Sequence, residues 1–404
     1  MSKNRFASTA VLSALLLVTV ACGGDDSSSG TTTSTSASAG SDGGGGSDGQ
    51  LDGPVRIVQL ADIAGENPAA IDDFANGVKM AIDEINEAGG IGGRDVEYER
   101  RRGPNDAQGA LEAVQRSVES NPTVVIGLTS SAALRAALPV IAQNGVPFVT
   151  HAYSGLTADE VDASDDMVIQ PSLSADQTMV KNAVDFLVGE LGASDIGLMN
   201  VDYQLGIDSA AHATELIEDA GAKIFATRSY ATDASDLTEQ VLAMKGADAV
   251  LNIPFPNPLA VQLNQFAQNG LDIPTMTTGA NGGIVFSNDL ASGQAISQLY
   301  ASTTCNPLDT ATEWADRYEE KFGAEPTSSA AESYDAMMLT AAAIEDAGSL
   351  DSEAILEAFR SISFTDGVCL PLYEMEGDAQ VMGRGGDIVF YGGAEPETVF
   401  ESEG

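Results

Sequence analysis

Hydroxyl groups follow two apolar segments of this 404-residue chain. Thr129, Ser130 and Ser131 come directly after the apolar run 124–128, and a helical pattern begins behind them. Hydroxyls and free N–H groups at a helix start can hold a carboxylate or carbonyl oxygen. A second polar set follows residues 147–150 and consists of His151, Ala152, Tyr153 and Ser154. Two such sets at successive strand ends favour ligand binding over local Ser/Thr capping, which is the alternative.

A serine hydrolase is the catalytic alternative. His151 could activate Ser130 or Ser154, but no G-x-S-x-G nucleophile elbow surrounds either serine. The two histidines, His151 and His212, are far apart in the sequence, and neither has a cysteine at ligand spacing. No P-loop is present, and the glycines at 89–93 follow a helix, whereas a dinucleotide site needs them after a strand. We therefore predict a binding protein that is not an enzyme, with no cofactor and no metal site.

Apolar strands alternate with amphipathic helices from residue 54 onward, in two series that are separated near Gln170 and Pro171. This rhythm predicts an α/β fold with two doubly wound, Rossmann-like lobes. Ligands of such sheets bind outside the carboxyl ends of the strands, where both polar sets are expected. The predicted strands are 55–60, 96–101, 123–127 and 147–150 in the first series, and 196–200, 223–226, 249–253 and 274–277 in the second.

The segment Phe74–Arg94, FANGVKMAIDEINEAGGIGGR, combines an amphipathic helix with two glycine turns. Asp72 and Asp73 stand where a helix start favours hydrogen-bond acceptors and negative charge. The pattern N-G-x-x-x-A-x-x-E-I-N-x-x-G-G-I-x-G-R resembles type I periplasmic solute-binding proteins of the leucine/isoleucine/valine-binding family. The resemblance covers nearly everything after Pro54 and implies a periplasmic binding protein-like fold of type I, with two lobes joined by a three-segment hinge.

The resemblance also implies how the chain is divided. Lobe 1 is expected at 54–172 plus 304–364, and lobe 2 at 173–303 plus 365–404. The chain would cross between the lobes near 170–173, 300–304 and 364–369.

The same resemblance implies the ligand contacts. In lobe 1 these are the loop of Thr129, Ser130 and Ser131, the Ala152 carbonyl, and the hydroxyl and N–H of Ser154. In lobe 2 they lie at Tyr203, Leu205, Phe255, Gly279 and Ala280. Leu205 replaces a tyrosine of the amino-acid receptors, and Gly279 and Ala280 stand where those receptors carry an acidic residue. The solute therefore stays open among an amino acid, an amide and a small carboxylate.

The N-terminus has the features of an export signal. Lys3 and Arg5 precede the apolar run 10–21, which is too short to span a bilayer. Residues 19–22, TVAC, resemble the lipobox of bacterial lipoproteins, which implies a signal peptide at 1–21 and a lipid on Cys22. An ordinary cleaved signal is the alternative. Residues 22–53 are rich in Gly, Ser, Thr and Asp and predict a flexible tether.

The number of cysteines agrees with export from the cytoplasm. If Cys22 carries lipid, Cys305 and Cys369 remain, an even number in an oxidising compartment, and we predict that they form a disulfide.

The formal net charge of −42 repels nucleic acid and anionic lipid surfaces, so neither is expected as a partner.

The sequence as a whole predicts a monomeric, lipid-anchored solute-binding protein on the outer face of a bacterial cell membrane. It would capture a small solute by hinge closure and deliver it to the permease subunits of an ABC importer. A ligand-sensing module for a membrane receptor or kinase is the alternative within binding proteins, and the serine hydrolase is the alternative from another class.

Overall fold

The computed structural model describes residues 51–61, 68–103, 106–151, 156–171, 178–375, 383 and 385–402. Within these ranges the chain forms two lobes, each built on a largely parallel sheet with helices against it. The α/β fold with two lobes is therefore confirmed. No helix in the described part of the chain is both long enough and apolar enough to cross a membrane.

The first lobe is built on strands β1 (Val55–Ala61), β2 (Val96–Arg102), β3 (Val124–Gly127), β4 (Phe148–Val149) and β5 (Val168–Ile169). They form a parallel sheet in the order β2-β1-β3-β4-β5. The helices between them are α1 (Pro68–Glu87), α2 (Ala107–Val118), α3 (Ser131–Asn144) and α4 (Ala158–Ala163). Because all five strands run the same way, their carboxyl ends lie at one edge of the sheet.

The second lobe contains β6 (Asp195–Val201), β7 (Lys223–Tyr230), β8 (Ala249–Ile253), β9 (Thr275–Thr278), β10 (Leu299–Thr303), β13 (Gly386–Phe390) and β14 (Glu397–Ser402). Their order is β14-β13-β10-β9-β8-β6-β7, and β13 is antiparallel to both of its neighbours. The helices are α5 (Val180–Asp185), which continues as a π-helix to Glu190, α6 (Gln204–Asp219), α7 (Thr238–Ala243), α8 (Pro256–Gln268) and α9 (Asn281–Ser287), followed by a 3₁₀ turn (Gly293–Ala295).

After β10 the chain returns to the first lobe and adds helices to its core. These are α10 (Pro307–Thr310), α11 (Thr312–Phe322), α12 (Ser328–Ala347) and α13 (Ser352–Ser361). A small antiparallel pair, β11 (Ser363–Phe364) with β12 (Tyr373–Glu374), precedes the last passage to the second lobe. Helix α12 is buried along most of its length, and apolar residues of α1, α11, α12 and α13 pack in one cluster with β1.

The close approach of α1 and α12 depends on one glycine. A Cβ placed on Gly77 would lie 2.1 Å from the Ala330 carbonyl oxygen and 2.1 Å from Ser333 Oγ. Only glycine fits at that separation, since real Cβ atoms do not approach other heavy atoms so closely. The N-G pair of the sequence motif therefore marks a helix contact.

One local expectation was wrong. Helix α1 begins at Pro68, so its start lies before positions 72 and 73, where the sequence predicts it. The Asp73 carboxylate accepts hydrogen bonds from Tyr318 (3.0 Å) and Thr327 (2.8 Å), and these distant partners explain its presence. Near the second expected crossing, at 300–304, residues 299–303 form strand β10, which pairs with β9 and β13.

The segment between β11 and β12 is fixed by a buried carboxylate. Asp335 on α12 accepts hydrogen bonds from the backbone N–H groups of Val368 (2.8 Å), Cys369 (2.8 Å) and Leu370 (3.4 Å), and from the Tyr373 hydroxyl (2.7 Å). The Cys369 sulfur is bonded to that of Cys305, and their Cα atoms are 5.2 Å apart. The second and third passages between the lobes are thus joined covalently beside Asp335.

Candidate functional site

The loop after β3 is shaped by two left-handed residues. Gly127 has a φ of 144°, and a Cβ on it would lie 2.1 Å from the Leu60 carbonyl oxygen. Leu128 follows with a φ of 59° although it is fully buried and is not glycine. Strained backbone of this kind persists where the surroundings enforce it, often at binding sites. The turn places Ser130 at the N-cap of α3, where its Oγ accepts from the Ala133 N–H at 3.4 Å.

The Ser130 hydroxyl also touches the other lobe. Its Oγ lies 2.9 Å from the hydroxyl oxygen of Tyr203, the residue directly before α6. The Tyr203 ring lies 5.8 Å from the ring of Phe255, the residue before α8. The structure therefore brings together three of the predicted site residues, one from the first lobe and two from the second.

The start of α6 is fixed by Gly206. A Cβ there would lie 2.2 Å from the Val201 carbonyl oxygen, so the helix can leave β6 at this angle only with glycine. Leu205 is half-buried in the same turn. The tight turn explains why Tyr203 emerges at the carboxyl end of β6, where it reaches Ser130.

Gly279 and Ala280 lie between β9 and α9. Gly279 has a φ of 67° and donates its N–H to the Ser302 carbonyl at 2.8 Å, while Ala280 is the N-cap residue of α9. Neither side chain carries a hydrogen-bonding group. Thr129 and Ser131 are buried on either side of Ser130. Ala152, Tyr153 and Ser154, predicted as the second ligand loop, lie outside the described residues, as does Cys22.

His151, at this edge of the first sheet, is buried and has no hydrogen bond to the described part of the protein. It follows β4, is 4% exposed, and neither Nδ1 nor Nε2 has a hydrogen-bond partner. Its ring packs against Phe74 of α1, with centroids 5.2 Å apart. Burial lowers the pKa of His151 to about 4, so the imidazole is neutral near pH 7.

Sequence reasoning missed the role of Phe74 because the helix start was expected there. Gln59 of β1 donates from Nε2 to the Phe74 carbonyl at 3.0 Å, and its Oε1 accepts from the Tyr98 hydroxyl at 2.5 Å. The available signal was a glutamine in a strand whose other fully buried residues are apolar. Phe74 is therefore held on the sheet, and the His151 ring lies against a fixed surface.

A buried polar network in the second lobe was also missed. The Tyr230 hydroxyl donates to Asn252 Oδ1 at 2.6 Å, and Asn252 Nδ2 donates to Gln262 Oε1. All three residues are buried, and the network joins β7, β8 and α8. It anchors α8, which directly follows Phe255, against the sheet.

A cavity of about 600 Å³ lies apart from the strand-end residues, where α1 and the α11–α12 connection face α9. Its lining includes the carboxylates of Asp73, Asp289, Glu319 and Glu325. Burial and the neighbouring Glu319 and Glu395 raise the pKa of Glu325. Carboxylates crowded in this way disfavour an anionic solute, so the cavity does not compete with Ser130 for one. Within the described residues, no group of three or more His, Cys, Asp or Glu residues could hold a metal ion.

Comparisons with known proteins agree with the two-lobed α/β fold. A sequence profile of the periplasmic binding protein family matches residues 54–385. The Leu/Ile/Val-binding protein homolog 8 of Brucella abortus (strain 2308) is 26% identical to this chain over 294 residues, which cover 68% of this chain and 72% of that protein.

Two solved structures share the fold. The branched-chain amino acid transporter substrate-binding protein LivJ of Streptococcus pneumoniae, in complex with isoleucine, has a TM-score of 0.74 at 21% identity, covering 86% of this chain and 99% of that one. A solute-binding protein of an ABC transporter from Rhodopseudomonas palustris BisB5, in complex with 3,4-dihydroxybenzoic acid, has a TM-score of 0.73 at 17% identity. The match covers 83% of this chain and 93% of that one.

Proposed function

The chain belongs to the periplasmic binding protein family, and from this membership we propose that it captures a small solute between its lobes for an ABC importer. Its relatives are solute-binding proteins and not enzymes, so the hydrolase alternative is set aside. The observation that carries the proposal is the 2.9 Å contact between Ser130 Oγ and the Tyr203 hydroxyl, which joins strand-end loops of the two lobes.

The first lobe supplies the initial contact. The N-terminus of α3 offers backbone N–H groups and a partial positive charge, and Ser130 adds a hydroxyl donor. This combination suits a carboxylate or carbonyl oxygen. Thr129, Ser131, His151 and the loop of Ala152, Tyr153 and Ser154 complete the proposed first-lobe set.

The second lobe closes over the solute. Tyr203 and Phe255 present an aromatic surface opposite Ser130, with Leu205, Gly279 and Ala280 at neighbouring positions. Aromatic side chains suit the apolar part of a solute, and a tyrosine hydroxyl adds a hydrogen bond. The solute shifts an open–closed equilibrium because it gains contacts from both lobes only when the lobes are closed.

We propose lobe boundaries at 172/173, 303/304 and 364/365, with the hinge at these passages. The solute is an amino acid, an amide or a small carboxylate. The isoleucine and 3,4-dihydroxybenzoic acid held by the two solved structures both carry a carboxylate, which supports a carboxylate contact at Ser130. We further propose that the protein works as a monomer and meets only the permease subunits as a protein partner.

A thermal-shift screen tests this function. The panel contains branched-chain amino acids, amides, short carboxylates and aromatic acids. We expect at least one compound to raise the melting temperature, because binding to the folded state alone stabilises it. Replacing Ser130 by alanine should lower the affinity for that compound by roughly tenfold to a hundredfold. This is the cost of one lost hydrogen bond to a charged group. Ser361→Ala is the control, because this serine is exposed at the end of α13 and lies outside the proposed site. No shift with any compound, or equal loss in both variants, would contradict the proposal.

We propose that Cys22 carries the lipid anchor after removal of residues 1–21, and that the Cys305–Cys369 disulfide forms in the exported protein. Mass spectrometry of protein purified from the membrane fraction should find a lipid-modified N-terminal Cys22 and no free thiol at Cys305 or Cys369. A peptide that extends unmodified through residues 19–24 would exclude the anchor. Free thiols at both other cysteines would exclude the disulfide.

A further inference from the structure

Ser130 and His151 follow neighbouring parallel strands at the same edge of the first sheet. Thr150 donates from Oγ1 to the Leu128 carbonyl at 2.9 Å, which ties the ends of β3 and β4 together. Ser130 is two residues beyond Leu128, and His151 directly follows Thr150. Neighbouring strands of a sheet are about 4.8 Å apart, so the two side chains start from adjacent positions at the same edge.

The direction of the His151 side chain follows from the strand. Side chains two residues apart on a strand share a face. Val149 packs in the apolar cluster that contains α1 and α12, and the His151 ring contacts Phe74 of α1. His151 therefore lies at the top of the face that α1 covers. Gln59 donates a hydrogen bond to the backbone carbonyl of Phe74 and so fixes the position of this residue. The imidazole therefore has a fixed aromatic neighbour on one side.

The hydrogen-bonding capacity of His151 is unused by the protein. Both ring nitrogens are buried without a partner, although a buried polar group left unpaired is costly. The neutral imidazole offers one donor and one acceptor. An ammonium can only donate and a carboxylate can only accept, whereas a hydroxyl or a primary amide does both. A hydroxyl or a primary amide can therefore pair with whichever ring nitrogen faces the solute, in either tautomer, and this favours an uncharged partner.

We propose that His151 hydrogen-bonds an uncharged hydroxyl or amide group of the solute, and that the solute is a small carboxylate carrying this group near its carboxylate. This inference rests on the proposed function, because it places the solute at Ser130. His151 then determines specificity: it favours such a solute over one that ends there in a methyl group.

Isothermal titration calorimetry with three matched probe pairs tests the inference. The pairs are 2-hydroxy-4-methylpentanoate with 4-methylpentanoate, 3-hydroxybenzoate with benzoate, and succinamate with 4-oxopentanoate. In at least one pair, we expect the hydroxyl or amide probe to bind the wild type roughly tenfold or more tightly than its counterpart. His151→Phe should abolish this preference and leave the affinity for the counterpart nearly unchanged. His212→Gln, at the other histidine, is the control and should keep the preference.

Nitrogen-15 NMR of histidine-labelled wild-type protein gives a readout that does not depend on a variant folding. The chain has two histidines, and His151 is the buried one. Its ring nitrogens should shift with the preferred probe and not with the counterpart.

Several results would overturn the inference. These are the absence of a preference in all three pairs, a preference that survives His151→Phe, and an unchanged His151 spectrum at saturation. If none of the six probes binds while another compound of the thermal-shift panel does, the inference fails and the proposed function stands. If nothing in either set binds, both fail.

Discussion

Replacing Asp335 by alanine is expected to lower the free energy of unfolding by about 3–5 kcal/mol. The substitution leaves three backbone N–H groups and the Tyr373 hydroxyl without their acceptor in a buried place. Each unsatisfied buried donor costs about 1–3 kcal/mol. Urea unfolding followed by circular dichroism measures the loss.

Asp366→Ala is the matched control, because that carboxylate is exposed in the connection that Asp335 fixes. It should change the stability by no more than about 0.5 kcal/mol. Equal effects of the two substitutions would contradict the role given to Asp335.

The stability contributed by Asp335 should also depend on pH. Burial raises its pKa from 3.8 to about 6, so the folded protein binds this proton more tightly than the unfolded chain. The contribution is fully present below about pH 4 and is lost as the pH rises through 6. Wild-type protein should therefore gain stability relative to Asp335→Asn as the pH falls from 7 to 4. A constant difference would show that burial does not control this group.

Gly77→Ala is the substitution with the second large expected effect. It should lower the free energy of unfolding by about 3 kcal/mol. Alanine normally stabilises a helix interior relative to glycine by about 0.5–1 kcal/mol, so the predicted sign is inverted. The new Cβ would meet the Ala330 carbonyl oxygen, which belongs to the α12 backbone and cannot rotate away. The two helices must separate, and their shared core loses packing. Thermal and urea unfolding both measure this.

Gly189→Ala is the control for Gly77→Ala. Gly189 lies in the helical stretch after α5, and a Cβ there would have no atom within 4 Å. That substitution should be neutral or slightly stabilising. If Gly77→Ala behaved in the same way, the close contact between α1 and α12 would be refuted.

Much of the fold could be predicted because local pattern and tertiary structure agree. Helix α12 was expected at 328–347, and β8 at 249–253, as the structure has them. Their boundaries are set by nearby residues, including the left-handed Gly348 that ends α12. Elements of this kind carry their own start and stop signals.

Other elements depend on distant partners that a single sequence does not reveal. The start of α1 was misjudged because Asp73 is a good capping residue, whereas its partners are Tyr318 and Thr327. Strand β10, with the sequence LYAST, pairs with β13, which lies more than 80 residues later in the chain. Such pairings are decided by tertiary contacts and not by propensity.

The candidate site, like the fold, could be predicted only in part from the sequence. The strand-end rule selected Ser130, the family resemblance implied Tyr203 and Phe255, and the structure brings the three residues together. The contact of His151 with Phe74 could not be predicted, since it joins a strand end to a helix placed by Gln59. Family resemblance supplied the class of protein, while the chemistry around His151 came from burial and missing partners.

Small-angle X-ray scattering of the purified protein, with and without the compound that stabilises it most, tests the central claim most directly. If the solute binds between the lobes and closes them, saturation should lower the radius of gyration, and Ser130→Ala should require correspondingly more solute for the same change. Binding that is saturated by calorimetry and leaves the radius of gyration unchanged would contradict capture by hinge closure.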